Sequence, residues 1–96
     1  MILEVAEIEI RPGAASVFEA AVAHGLDTVV RHSPGFISAR LRRGIESPQR
    51  YLLLVEWDTL DAHTVGFRQS ERFAQWRAIV GPHFAQPPRV EHFDAA

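Results

Sequence analysis

Between Tyr51 and Trp76 the chain reads YLLLVEWDTLDAHTVGFRQSERFAQW, and this stretch concentrates the side chains able to do chemistry. His63 stands four residues before Phe67, so a helix would turn both to one side. An imidazole beside aromatic rings titrates where it can take a proton near neutral pH. The same spacing also fits a half-exposed histidine on an amphipathic helix. Trp57, Phe67, Phe73 and Trp76 offer flat faces on which a planar ring system would stack. Phe73 and Trp76, at i and i+3, equally fit a core stripe, and Trp57, following Glu56 at a strand end, could instead serve a contact with a second chain. Of Arg68, Arg72 and Arg77, each able to hold a carboxylate or phenolate, Arg68 and Arg72 read as solvated helix positions, where ion pairs contribute little.

Two further candidates lie outside this stretch. Glu7 shares a strand face with Leu3 and Val5. An interior position would desolvate its carboxylate and raise its pKa, making it a base; a position on an intermolecular seam would pair it with an arginine. His83, in GPHF, would close a pocket or cap a helix end. The expected site therefore has His63 and Glu7 as catalytic groups, with Phe67, Phe73, Trp76, Arg77, His83 and Trp57 contacting substrate. Histidines occur at 24, 32, 63, 83 and 92, with no H-x-H or i,i+4 pair, so no metal site is expected. RPGAAS lacks the lysine and second glycine of a phosphate loop. QSERF lacks the G-x-S-x-G context of a nucleophile.

The elements that must position these groups follow from periodicity. ILEVAEIEI (Ile2 to Ile10) alternates, with Ile2, Glu4, Ala6, Ile8 and Ile10 on one face and Leu3, Val5, Glu7 and Glu9 on the other. Phe18, Ala21, Val22, Gly25 and Val29 make one helical stripe, whose small members Ala21 and Gly25 would permit close approach to a sheet. SPG stops that helix. FISARLRRGI alternates as a half-buried strand, and YLLLVEWD is nearly continuous apolar, a central strand. ESPQR between them is the turn of an antiparallel pair. Thr59 caps a short helix from Leu60 to about Phe67, and Ser70 caps a second that runs to about Val80. RVEHF is the last strand. The order β-α-β-β-α-β is the ferredoxin-like split motif, an α+β fold with an antiparallel sheet. Apolar residues on both faces of the first and third strands predict that the face away from the helices is covered by a second copy, sheet against sheet.

Composition narrows the function classes. The chain has 96 residues, enough for a single domain over 1–96, with 10 basic and 12 acidic residues. The only basic cluster, ARLRR, falls far short of a nucleic-acid footprint. Without cysteine there is no disulfide, zinc thiolate or thiol nucleophile. MILEVAEIEI carries three glutamates and no basic region, unlike a signal peptide, and no run of about 18 apolar residues could span a membrane. A cytoplasmic protein without membrane or nucleic-acid partners is expected.

From MILEVAEIEIRPG, through PGF, YLLLVEWDTLDAH and FRQSERFAQW, to GPHFAQPPRVEHF, the chain resembles the antibiotic biosynthesis monooxygenase (ABM) family along essentially its whole length. The resemblance implies a dimeric α+β barrel with a pocket between sheet and helices. It implies a cofactor-independent monooxygenase acting with O2 on a small aromatic quinol or anthrone. Such a substrate loses a proton near neutral pH and its anion reduces oxygen, so the protein need supply only a base, an oxyanion donor and a dry pocket, with no metal or flavin. The family's haem degraders use an asparagine, a tryptophan and a histidine. The aligned residues here are near Glu7, Phe67 and Arg77, none of which matches, so haem could at most be bound. A non-catalytic module sequestering a small apolar ligand is the remaining alternative.

Overall fold

Alternation along the first strand sets up two layers. In the computed structural model, which describes all 96 residues, β1 spans Ile2–Glu9, α1 Ala15–Thr28, β2 Phe36–Arg43 and β3 Arg50–Trp57. A π-helical turn follows at Ala62–Phe67, then α2 (Glu71–Val80) and β4 (Arg89–Phe93). The strands form one antiparallel sheet in the order β2-β3-β1-β4. Glu4, Ala6, Ile8 and Ile10 are buried beneath the helices, while Leu3, Val5, Glu7 and Glu9 are only half-buried on the opposite face. The α+β, ferredoxin-like arrangement expected from the periodicities is the one observed.

β3 completes the core from the centre of the sheet. Tyr51, Leu53, Val55 and Trp57 alternate into one buried cluster with Phe18 and Val22 of α1 and Val80 of α2. The Tyr51 hydroxyl donates to Glu19 Oε2 at 2.6 Å, tying α1 to β3. Burial, and then this hydrogen bond, push the phenol up to about 12. Trp57 is fully buried on the helix side, so it does not face a sheet-to-sheet contact as its place after Glu56 had suggested.

Two glycines bring helices to where the site is built. Gly25 approaches α2, not the sheet: a Cβ there would stand 2.7 Å from Trp76 Cε3. Gly35, at φ +89°, makes the turn before β2, and a Cβ there would meet Ala62 at 2.6 Å, where the π-helical turn begins. Gly25→Ala gains about 1 kcal/mol of helix propensity but must displace the Trp76 indole, an overpacking cost of about 1–3 kcal/mol. A lowered urea midpoint with a shifted tryptophan emission maximum is the expected outcome; an unchanged emission spectrum would show that the indole never needed the space.

The second helical segment differs from a plain helix. Thr59 Oγ1 accepts the Ala62 N–H at 3.1 Å, as an N-cap should. The Arg68 N–H then reaches back five residues to the His63 carbonyl at 2.9 Å, which widens the turn. Ser70 stands at the N-cap of α2 in extended geometry, but its hydroxyl donates backward to the Phe67 carbonyl at 2.6 Å. That bond locks the π-helical turn against the start of α2.

Candidate functional site

Glu4 sits mid-strand on the most apolar face of the protein. Its cross-strand neighbours are Val55 on β3 and His92 on β4, and Trp57 is two residues along β3 from Val55. The Trp57 indole donates Nε1–H to Glu4 Oε1 at 3.0 Å. His63 descends from the π-helical turn and places Nε2 3.2 Å from the same oxygen. Its other nitrogen, Nδ1, lies 2.7 Å from His92 Nε2. The His63 ring packs against Trp57 at 5.1 Å and Phe67 at 6.0 Å, and these two lie 5.6 Å from each other, so the three rings form one triangular cluster that fixes its orientation.

Burial sets the charge states. Glu4 is raised above the usual carboxylate range chiefly by desolvation, opposed by the Trp57 hydrogen bond and the Arg68 charge. His63 is lowered to about 4 by burial first, then by Arg68 and His92. His92 is lowered by burial and then by Arg68. Both rings are therefore neutral near pH 7, and the His63–Glu4 contact is a close polar contact rather than an ion pair. With both rings neutral, His92 Nε2–H can donate to His63 Nδ1, which leaves His63 Nε2–H facing Glu4 Oε1, the oxygen that accepts the Trp57 Nε1–H. Glu4 Oε2 makes no hydrogen bond and is free to take a proton without disturbing that chain.

Because His63 titrates lower in the folded protein than its ordinary 6.5, it contributes stability that is fully present above pH 6.5 and lost as pH falls through about 4. Glu4 works in the opposite sense, its burial costing least when it is protonated. Replacing His63 by Gln removes the histidine's share alone. The stability advantage of wild type over H63Q, from urea midpoints, is expected to shrink between pH 6.5 and 4; an advantage constant across that window would mean His63 does not titrate low.

Glu4 and His63 open onto a cavity of about 940 Å³ between sheet and helices. This is within the ordinary size range of small-molecule sites, roughly 300–1,000 Å³. Ala6, Ile8 and Leu53 form its floor, Phe67, Phe73 and Trp76 its roof, and Phe84 with the Pro87–Pro88 segment its far side. Arg68 and Arg77 also line it, and the Arg77 guanidinium lies over the Phe73 ring at 5.8 Å.

Of the residues expected at a site, His63, Phe67, Phe73, Trp76 and Arg77 are brought together at this cavity. Three are placed elsewhere. Glu7 is on the opposite face of β1, with Arg50 at 3.3 Å and Arg89 at 3.9 Å, because strand alternation turns odd-numbered residues there away from the helices. His83 stands edge-on to Phe18 at 6.5 Å and does not line the cavity. Trp57 lies behind His63, acting on Glu4 rather than on the cavity. Arg68 is exposed, as expected of a solvated helix position, and it also borders the cavity near Glu4. Glu4 and His92 were not anticipated. A lone carboxylate among Ile2, Ala6, Ile8 and Ile10 was the available signal for the first. The five histidines have no metal-binding local spacing, yet the β1–β4 register sets His92 opposite Glu4, where His63 reaches it from the π-helical turn. Their contacts run head to tail, so His63 spends one nitrogen on each neighbour and the three groups do not converge on one point.

An antiparallel sheet with its helices on one face and a guest-sized hollow between the layers defines a ferredoxin-like α+β protein with an internal binding cavity. The chain belongs to the antibiotic biosynthesis monooxygenase family, whose model matches residues 1–79. It is 37% identical over 93 residues to YczJ of Bacillus subtilis, a protein of uncharacterised function, covering 97% of both chains. It is similar to the crystal structure of a Bordetella bronchiseptica protein assigned to the same monooxygenases, at 44% identity and a TM-score of 0.94, covering 99% of this chain and 96% of that one. A Streptomyces coelicolor monooxygenase from the gene ActVA-Orf6, solved with nanaomycin D, shares the fold at a TM-score of 0.83 and 19% identity, covering 99% and 87%. No helix is long and apolar enough to cross a membrane.

Proposed function

We propose that this protein is a cofactor-independent oxygenase that oxidises a small quinol- or anthrone-like aromatic with O2. The observation that carries the reading is the buried Glu4 carboxyl, its Oε2 unbonded, beside an aromatic-walled cavity. Family membership and the bound aromatic of the Streptomyces coelicolor relative lend support. A carboxylate whose pKa is pushed up is a stronger base than an exposed one, and a dry site strengthens its attraction for a proton.

The steps balance with one carboxyl. Glu4 Oε2 takes a proton from the acidic CH2 of an anthrone, and Arg68 stabilises the resulting oxyanion. The anion passes one electron to O2, and the substrate radical and superoxide combine to form a C–O bond. Protonated Glu4 returns its proton to the peroxide oxygen and then takes the second C–H proton. The C=O forms as the O–O bond breaks, and the departing hydroxide recovers that proton from Glu4. The sum is CH2 plus O2 giving C=O plus water. Phe67, Phe73 and Trp76 hold the ring plane and exclude solvent, while His63 holds Glu4.

The working unit we propose is a homodimer joined through the free sheet faces. Leu3, Val5 and Leu54 are half-buried there, and Leu52 and Phe93 are 39% and 49% exposed, apolar surface that a second copy would cover. Light scattering should give twice the 10.8 kDa of one chain. For the activity, metal-free protein is added to anthrones and hydroquinones in an oxygen electrode. Uptake above the autoxidation rate is expected. Background uptake with every compound, accompanied by quenching of tryptophan fluorescence, would instead favour a non-catalytic binder of apolar ligands.

A further inference from the structure

Three charged side chains line the cavity: Glu4, Arg68 and Arg77. All ten basic residues of the chain are arginines, and four of them, Arg31, Arg43, Arg50 and Arg89, have a carboxylate within 4.0 Å. Arg68 and Arg77 have none. Glu4 feels the Arg68 charge but stands more than 4.0 Å from either guanidinium, so it forms no ion pair with them. The cavity thus carries two cations against one anion, and two against none whenever Glu4 holds a proton. Both arginines are exposed at the cavity mouth, and the guanidinium of Arg77 rests over the Phe73 ring, which favours a position at the cavity wall.

The two arginines also stand apart. Arg68 is close enough to Glu4, His63 and His92 to act on all three. Arg77 is not among the charges that act on them and lies over Phe73 of α2 instead. A planar guanidinium pairs with a carboxylate through two parallel hydrogen bonds, a match an ammonium does not offer.

We infer that the cavity selects aromatic ligands bearing a carboxylate, with Arg77 holding that group and Arg68 facing the reacting oxygen at the other end. The inference rests on reading the cavity as the ligand site, and it adds a charge requirement that the oxygenase chemistry alone does not impose.

The test uses two ligands of equal shape, anthraquinone-2-carboxylate and 2-methylanthraquinone. Both are already oxidised, so quenching of tryptophan fluorescence reads binding alone. The carboxylate is expected to bind about tenfold more tightly than the methyl compound, the worth of one charged hydrogen-bonded contact. Arg77→Gln is expected to remove that preference, and Arg77→Lys, which keeps the charge but not the fork, to retain part of it. Equal affinity of wild type for the two ligands, or a preference that survives in Arg77→Gln, overturns the charge assignment and leaves the cavity as a binding site. Failure of both ligands to bind at all overturns the cavity reading and the charge assignment together.

Discussion

Glu4→Gln is expected to abolish the oxygen uptake that exceeds autoxidation, a loss of about 10² to 10⁴-fold, the contribution of a well-placed general base. The substitution is close to isosteric. An amide carbonyl oxygen can still accept from the Trp57 indole, whose bond to Glu4 Oε1 is 3.0 Å, and can keep the 3.2 Å contact with His63, so fold and cavity should persist. Circular dichroism and ligand quenching then serve as controls. Uptake that survives in a folded, ligand-binding E4Q protein would remove Glu4 from the chemistry. The pH profile offers a second reading. Glu4 must be ionised to act, so activity should rise with pH through a value above its ordinary 4.5. Because the Trp57 hydrogen bond holds that value down, Trp57→Phe should move the rising limb to still higher pH.

Trp57→Ala is expected to have the largest effect on stability. The indole is fully buried and packs against Phe36 at 5.9 Å, Phe67 at 5.6 Å and His63 at 5.1 Å. Truncating a buried aromatic of this size costs about 3–5 kcal/mol, out of about 5–15 kcal/mol in a domain of this kind. A large fall in urea midpoint is the measurement. The aromatic ring and the N–H have separable roles, since Phe keeps most of the packing and loses only the donor. If Trp57→Ala unfolded at nearly the wild-type midpoint, the stack around His63 would not be the structural pillar described above.

Much of the fold was legible because each element announces itself locally. The alternation in Ile2 to Ile10, the stripe Phe18–Val22–Gly25 and the apolar run Tyr51 to Trp57 each have a period and a bounding turn. The site was legible only where it shares such a stripe, as with Phe67, Phe73 and Trp76. The His63–His92 contact spans 29 positions and depends on the register of β1 with β4, which no local spacing encodes. The π-helical turn is six residues long, too short for a period to distinguish it from an α-helix, so the placement of Arg68 could not be foreseen. Glu4 and Glu7 differ in sequence only by parity. The choice between them turns on which strand face the helices cover, and the more apolar face, holding Ile2, Ala6, Ile8 and Ile10, was the better guide.

β1 lies between β3 and β4, so its Glu4 is flanked by the third and the fourth strands of the sheet in chain order. As the chain leaves the ribosome, sheet and roof can assemble around β3 while the lane beside Glu4 stays empty and wet. Only when residues 89–93 dock does His92 arrive and the carboxyl lose its water. A nascent chain arrested before that point would lack the His92 contact and the strand that covers Glu4 on one side.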